Sequence, residues 1–450
     1  MAMPLSWQDV QTTITAQRGD FLSARAPVHV ARAPARLDVM GGIADYSGSL
    51  VLEGTLARAA YAAVQPRRDR KLRALSLGVA EAEPVEMSLD DLLSRGRPKT
   101  YAQMQRAFTG AGRWAGYVLG TLHVLQREGV VDEWPHGLNL LLASDIPIGA
   151  GVASSAAIEV AAMNAVVAAY GLTLEPVRLA QLCQMVENRV VGAPCGIMDQ
   201  VTSELGEPNR LLALCCQPCE VEALHGVPAG YQFVGINSAV KHSVGGTAYG
   251  RVRCAAFMGY RIMEDVLPAS DYGGFWCRAT AAEFAAIEAE LPEEMTGREF
   301  LARYGRTHDA VTTVQPDMAY PVRQASRHPV LENARVRRFV QLLGRGDEGA
   351  MRAAGKLMFE SHASYSACGL GADETDLLVR LVRERGAAAG LLGAKITGGG
   401  SGGTVAVLIR NEARPLLRDI TREYRRRTGL SPLLLTGSTA GAARWGTRTI

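Results

Sequence analysis

Apolar residues along this chain recur with two periods, and the changes between them predict the order of its elements. Residues 28–33, 50–56, 59–64 and 72–75 are short runs rich in Val, Leu and Ala, bounded by polar or turn-forming residues, and read as strands. Residues 115–127 carry an apolar stripe at helical spacing, and the run 138–143 is again strand-like. Helices are then predicted from about Ser154 to Tyr170, with Gly171 as the C′ stop, and over 175–190, with a short one starting near Met198. A strand at 210–216 is expected to close the first half. The second half reads as strand 232–236, helix 248–266, helices at 281–291, 334–343, 348–360 and 374–385, strands 390–396 and 404–409, and helix 412–425. Strands and helices alternate without strict βαβ regularity, so the expected class is α+β.

Length sharpens this picture. At 450 residues the chain exceeds the usual size of one core, so two domains are expected, over 1–215 and 216–450. Nearly half of the residues are apolar and 21% are charged, the composition of a soluble globular enzyme. A net charge of +3 gives no footprint for nucleic acid, and the basic clusters at 67–71 and 425–427 read as solvated faces. No run reaches the ~18 apolar residues of a membrane span, and Met1 to Asp20 is polar and mixed, without a signal-peptide pattern. Eight scattered cysteines show no disulfide framework, so free thiols and a cytoplasmic location are expected. Cys215-Cys216-Gln-Pro-Cys219 is half of a zinc pattern with no second half, and buried thiols explain it better. No interface signature stands out, which leaves the oligomeric state open, and 296–322 carries no chemistry of its own.

Four segments carry candidate chemistry. The first is Asp145-Ile-Pro-Ile-Gly149-Ala-Gly151-Val-Ala-Ser154-Ser155-Ala156, between an apolar strand and an Ala-rich helix. Its glycines let the backbone approach a ligand, and free N–H groups at a helix start favour a phosphate. It is not a Walker A loop, because no Gly-Lys-Ser/Thr follows, and it is a poor dinucleotide fingerprint, because Ser154 stands at the third glycine. A strand-to-helix turn with a serine N-cap fits it as well. The second places Glu187 and Asp199 twelve residues apart around Gly192-Ala-Pro194-Cys195-Gly196. One carboxylate suits Mg²⁺ and the other a hydroxyl that must lose its proton, although a helix-end charge and a first-turn Asp are equally consistent. In the third, Arg36 and Asp45 flank Gly41-Gly42, and suit phosphoryl charge and sugar hydroxyls, or a surface ion pair beside a turn. The fourth is Thr397-Gly398-Gly399-Gly400-Ser401-Gly402-Gly403, far richer in glycine than a two-residue hairpin needs.

Taken in order, Arg36…Asp45, Pro-x-Gly-x-Gly-x-x-Ser-Ser-Ala, Gly-x-x-Asp-Gln and Thr-Gly-Gly-Gly resemble the GHMP small-molecule kinases, and within them the galactokinase branch. The resemblance runs from about Val28 to Leu435, and Asn237-Ser238, Lys241-His242-Ser243 and Glu360-Ser-His362 belong to it. It implies a two-domain fold with the active site in the cleft between the domains. It also implies ATP and Mg²⁺, with a sugar and ATP as partners; from charge and hydropathy, neither nucleic acid nor a membrane is expected as a partner. Residue by residue, Asp199 is the implied base or acceptor for the sugar hydroxyl and Arg36 the stabiliser of phosphoryl charge. Ser155 and Glu187 are the implied Mg²⁺ ligands. Gly149, Gly151, Ser154, Ser155 and Gly399 are the implied nucleotide contacts, and Asp45, Gly42, Ile43, Gly196 and Tyr249 the implied sugar contacts.

One departure bears on the substrate. Galactokinases carry Gly-Glu-His-Thr-Asp-Tyr where this chain has Gly41-Gly42-Ile43-Ala44-Asp45-Tyr46. The stretch from Arg36 to Leu52 is instead similar to the kinase module of plant L-arabinokinases, as are the segments 186–196, 242–246 and 365–371. L-Arabinopyranose matches galactopyranose at its ring hydroxyls but lacks the hydroxymethyl arm. A site built to bond that arm would leave polar groups unpaired with the shorter sugar, and Gly42 and Ile43 remove that cost. The resemblance therefore implies phosphorylation of L-arabinose at its anomeric hydroxyl. A galactokinase with a relaxed pocket, a kinase for a uronic acid held by Lys241 or Arg251, and a non-catalytic sugar sensor are the alternatives.

Overall fold

The computed structural model describes residues 4–77, 83–240, 247–267 and 272–450. The apolar runs of the first half assemble into an eight-stranded sheet. Its main path runs Thr447–Thr449, His29–Met40, Leu50–Pro66, Leu138–Ser144, Lys71–Ser76 and Val85–Ser88. The two runs read as separate strands at 50–56 and 59–64 form one long strand. Its first part pairs with Arg210–Cys215 and its second with Leu138–Ser144. The apparent break is a register irregularity: Pro34 pairs with Ala59 but Arg36 with Thr55, so residues 56–58 bulge out. The irregularity frees the Arg36 N–H, which bonds the Val152 carbonyl at 3.1 Å and ties the strand to the glycine loop.

The sheet does not stop with Arg210–Cys215. Glu220–Gly226 pairs with that strand, and Thr447–Thr449 returns from the other end of the chain to pair with His29–Ala31. Helix Trp7–Ala16, hidden in a segment that reads as merely polar, starts at a Ser6–Asp9 capping box and buries Val10 and Ile14. One face of the sheet packs on helices Gly116–Arg127, Ser154–Ala169 and Pro176–Met185 through Ala33, Ala62, Leu119, Leu122, Val160 and Leu182. The predicted helix over 175–190 changes its winding: Val186–Val191 is a π-helical turn, and Gly192 ends it in the left-handed region.

A second, wholly antiparallel sheet orders Leu391–Ile396, Thr404–Arg410, Tyr231–Asn237 and Leu433–Leu435. Its strands alternate between two cores. Val405, Val407 and Ile409 pack against helices Asp373–Arg385 and Leu416–Thr428. Ala406 and Leu408 share a core with Leu37 and Leu52 of the first sheet and with Phe339 and Met358 of helices Val322–Arg345 and Glu348–Ala367. That shared core holds the two sheets together and sets the cleft above it. Helix Val322–Arg345 begins well before the expected 334 and runs on through Pro329. Among the described residues no helix is long and apolar enough to cross a membrane. All eight cysteines are free thiols, and no cluster of three metal-binding side chains occurs among the described residues.

Candidate active site

The glycine loop ends at helix Ser154–Ala169, and its N-cap is Ala153, held at φ 59° with no side-chain cap. A serine N-cap is thus excluded: Ser154 and Ser155 open the helix, and the first N–H groups have no capping side chain. Gly149 and Gly151 take φ 72° and 69°, values that a residue with a Cβ adopts at a cost. Asp145 ties the loop to the first sheet and to the N-terminal segment, accepting the Ala59 N–H at 2.8 Å and the Leu5 N–H at 3.0 Å. The loop is also pinned from the second sheet, where the Thr404 hydroxyl donates to the Ala150 carbonyl at 2.7 Å. A Cβ on Gly403 would lie 2.8 Å from that carbonyl oxygen, so the two glycine loops meet backbone to backbone.

Arg36 is almost fully buried, and its Nε donates to Asp199 Oδ1 at 2.9 Å, with Nη2 reaching the same oxygen. Among the described residues no hydrogen bond falls on Asp199 Oδ2. Nη1 bonds the Gly151 carbonyl and the Thr397 hydroxyl, each at 3.3 Å, and Glu53 Oε2 lies 3.5 Å from Nε. Burial alone would weaken the hold of the guanidinium on its proton, but Asp199, Glu53 and Asp38 outweigh it and keep Arg36 charged. Beneath it, Asp38 accepts from Lys395 Nζ at 2.7 Å and from the Gly398 N–H at 3.0 Å, and both charged side chains are fully buried. Burial works against ionisation of Asp38, yet Lys395 and Arg36 hold it below the usual carboxylate range.

Glu187 sits in the π-helical turn and is buried. Burial pushes its carboxyl up to about 7, with Asp199 adding to the rise and a hydrogen bond from Ser155 opposing it. Gln200 Nε2 bridges Glu187 Oε2 at 2.9 Å and the buried Glu159 at 3.2 Å. Asp45 lies on the turn Gly42–Ser47; burial and the nearby Asp199 push it up to about 7, against the pull of Arg253. A Cβ on Gly196 would lie 1.6 Å from Asp45 Oδ2, so only glycine fits there. Arg253 donates to the Cys195 carbonyl at 3.0 Å and pairs with Asp309 through contacts of 2.9 and 2.8 Å. The segment that reads as chemically silent thus supplies Asp309, which anchors the arginine holding the Gly196 loop.

One cleft is lined by all the residues implied as catalytic, metal, nucleotide or sugar contacts: Arg36, Gly42, Ile43, Asp45, Gly149, Gly151, Ser154, Ser155, Glu187, Gly196, Asp199, Tyr249 and Gly399. Lys241, His242 and Ser243 lie outside the described residues. Sequence reasoning missed Glu53, Lys395, Arg253 and Asp309. Of these, Lys395 left a trace as a lone charge within an apolar strand.

Glu204, on the same helix as Asp199, allows a test of burial in this region. Its carboxyl is buried, accepts from Asn164 at 2.7 Å, and is pushed up to about 7 by burial. Between the ordinary carboxylate range and about 7 the folded state binds this proton and the unfolded chain does not, so stability falls as pH rises. In Glu204→Gln the decline across that window is expected to be shallower by up to about 1.4 kcal/mol per pH unit. Denaturant unfolding at a series of pH values measures it, and parallel wild-type and variant curves would contradict it.

The chain matches the model of the GHMP kinase N-terminal domain over 116–207, of the GHMP kinase C-terminal domain over 340–426, and of the galactokinase galactose-binding signature over 20–66. It is 39% identical to L-arabinokinase from Arabidopsis thaliana over 95% of this chain, and spans 47% of that protein's length. Galactokinase from Streptomyces coelicolor is 33% identical over 85% of each chain. Galactokinase from Chloroflexus aggregans is 31% identical over 92% of each. The structure of Lactococcus lactis galactokinase with galactose superimposes with a TM-score of 0.78, covering 98% of this chain and 99% of that one; at 21% identity the likeness is one of fold. The α+β fold with two domains is therefore that of these enzymes, and the chain belongs to the GHMP kinase family, in the branch that holds the galactokinases and L-arabinokinase.

Proposed function

We propose that this protein is an ATP-dependent sugar 1-kinase that transfers the γ-phosphoryl of ATP to the anomeric hydroxyl of L-arabinose, giving L-arabinose 1-phosphate and ADP. The observation that carries the reading is the single cleft in which Arg36, Asp45, Glu187 and Asp199 meet both glycine loops. The 39% identity to L-arabinokinase supports the choice of sugar, as does a sugar end built of Gly42 and Ile43.

In this reading the helix start at Ser154, with the backbone from Gly149 to Ser155, binds the ATP phosphates, and Gly399 borders the same space. Asp45 accepts hydrogen bonds from ring hydroxyls, while Gly196 and Tyr249 wall the sugar. Both guanidinium contacts to Asp199 fall on Oδ1, which leaves Oδ2 for the anomeric hydroxyl. That hydroxyl gives up its proton to Asp199 as its oxygen bonds to the γ-phosphorus, and the bond from γ-phosphorus to the bridging oxygen breaks to release ADP. Arg36 balances charge on the transferring group, so most of the rate comes from positioning and electrostatics.

Ser155 and Glu187 fit Mg²⁺ by their chemistry: a hydroxyl and a buried carboxylate, both hard oxygen donors. Mg²⁺ usually takes one or two carboxylates plus substrate phosphates and water, so a small protein donor set suits it. When bound, the ion neutralises charge on the β- and γ-phosphates. The free thiols fit a cytoplasmic setting.

Retention of Asp45 and the galactose-binding signature over 20–66 favour a galactokinase as the second reading. A uronic acid loses one of its two candidate partners, because Arg251 is already engaged with Glu294 and the Ala319 carbonyl; the other, Lys241, lies outside the described residues. Release of ADP across a panel of sugars tests the proposal. L-Arabinose is expected to exceed D-galactose in kcat/KM by about tenfold or more. The reverse order would make the protein a galactokinase, and no turnover with any sugar would make it a sensor.

A further inference from the structure

Position 42 has no room for a side chain, because another residue stands there. A Cβ on Gly42 would lie 1.4 Å from the Tyr365 hydroxyl oxygen and 2.5 Å from Asp38 Oδ2. Tyr365 arrives from helix Glu348–Ala367 and is fully buried. Its hydroxyl accepts the Ile43 N–H at 2.9 Å, and its own proton goes to the Gly398 carbonyl at 3.1 Å or to Asp38 at 3.3 Å. Lys395 Nζ lies 5.0 Å from its ring centroid, and the His328 ring packs edge-on at 5.3 Å. The phenol is therefore held rigidly, and its oxygen links the turn Gly42–Ser47 to the 397–403 loop.

We infer that Tyr365 determines sugar specificity as a positioning residue: its hydroxyl fills the volume that a side chain at 42 would need and fixes the Ile43 backbone, so the pocket favours a pyranose without an exocyclic hydroxymethyl arm. The inference rests on the sugar-kinase reading above and deepens it. Gly42 and Ile43 line the cleft beside Asp45, and neither carries a side-chain hydrogen-bonding group. A hydroxymethyl oxygen entering against them gives up water and gains no side-chain partner, while a ring that ends in a methylene loses nothing. Tyr365 acts without touching the sugar, through the space at 42 and the backbone at 43.

The test compares the full-length wild type with Tyr365→Phe, Gly42→Glu and the double variant Gly42→Glu/Tyr365→Leu. Each is measured for KM and kcat with L-arabinose and D-galactose at saturating ATP, for KM of ATP, and for Tm. Tyr365→Phe keeps the ring but leaves the Ile43 N–H unpaired. KM for L-arabinose is expected to rise about tenfold, with kcat and KM for ATP little changed. Gly42→Glu alone is expected to melt earlier and to lose turnover on both sugars. The double variant is expected to regain only part of that stability, since φ 20° at position 42 and Asp38 Oδ2 at 2.5 Å remain, and its ratio of kcat/KM for D-galactose to that for L-arabinose should rise at least about tenfold over wild type. If Gly42→Glu alone keeps wild-type Tm and KM, the inference is wrong. It is also wrong if single and double variants agree in both Tm and sugar ratio, or if Tyr365→Phe changes neither KM. Wild-type turnover of L-arabinose alongside any of these results overturns only the inference, whereas a wild type inactive on both sugars overturns the sugar-kinase reading and the inference with it.

Discussion

Replacing Asp199 by alanine is expected to lower kcat for L-arabinose phosphorylation by about 10²–10⁴-fold, the usual contribution of a positioned proton acceptor. ATP affinity should stay largely as in the wild type, because the nucleotide is assigned to the 149–155 backbone and the start of helix Ser154–Ala169. The structure separates these effects. Asp199 meets Arg36 through one oxygen, and without it Arg36 still faces Glu53 at 3.5 Å and both of its Nη1 acceptors. The guanidinium should therefore remain in place and charged, and the fold should survive. Asp199→Asn is the sharper variant, since it retains the side-chain volume and an oxygen for Arg36 but cannot take a proton at neutral pH. Pre-steady-state phosphoryl transfer combined with equilibrium binding of a fluorescent nucleotide measures both quantities. A kcat near wild type in either variant would remove Asp199 from the role of acceptor.

The second large effect concerns stability. Lys395→Met is expected to destabilise the protein by about 3–5 kcal/mol, because it strands the Asp38 carboxylate in a fully buried position. The deficit comes from the partner left behind and not from any intrinsic strength of the pair. Lys395→Met/Asp38→Asn should therefore recover most of it, since a neutral amide costs far less to bury than a lone charge. The pH dependence has a definite sign. In the wild type Asp38 is held below the usual carboxylate range by Lys395 and Arg36, so its stabilising contribution is present at neutral pH and is lost as pH falls through its lowered value. In Lys395→Met that depression weakens and Asp38 takes up its proton more readily, so the deficit should shrink as the pH approaches about 4. Equilibrium denaturation of the wild type, Lys395→Met and the double variant between acidic and neutral pH checks this. A deficit that is independent of pH would mean that lost packing of the lysine stem, and not an uncompensated charge, is responsible.

Both effects involve pairs that join remote parts of the chain, which no local sequence pattern reveals. The loop at 145–156 was legible as a glycine-dependent turn into a helix, because glycines before an apolar helix mark a local backbone requirement. Its serines, however, equally suggested an ordinary cap, and the cap at Ala153 emerged only with the backbone dihedrals. Glu187 was placed near a helix end by periodicity, but a π-helical turn has no local pattern by which to recognise it. The first twenty residues read as polar and mixed because a helix that buries only Val10 and Ile14 leaves a weak stripe. The extra strand Glu220–Gly226 escaped notice because its residues are partly exposed and mostly lack a continuous apolar run.

By itself, the amino-acid sequence determined the family to which the chain belongs, the residues its motifs nominate and most of the elements that bear them. Apolar periodicity, glycine placement and the order of motifs depend on neighbours within a few positions, and so can be read along the chain. The tertiary structure decided which of those residues meet. Arg36 finds Asp199 across 163 positions, and Lys395 finds Asp38 across 357. These contacts follow from the register of the first sheet and from the core it shares with the second. Gly42 illustrates the difference: along the chain it is the absence of a polar side chain, and in space it is the room taken by the hydroxyl of Tyr365.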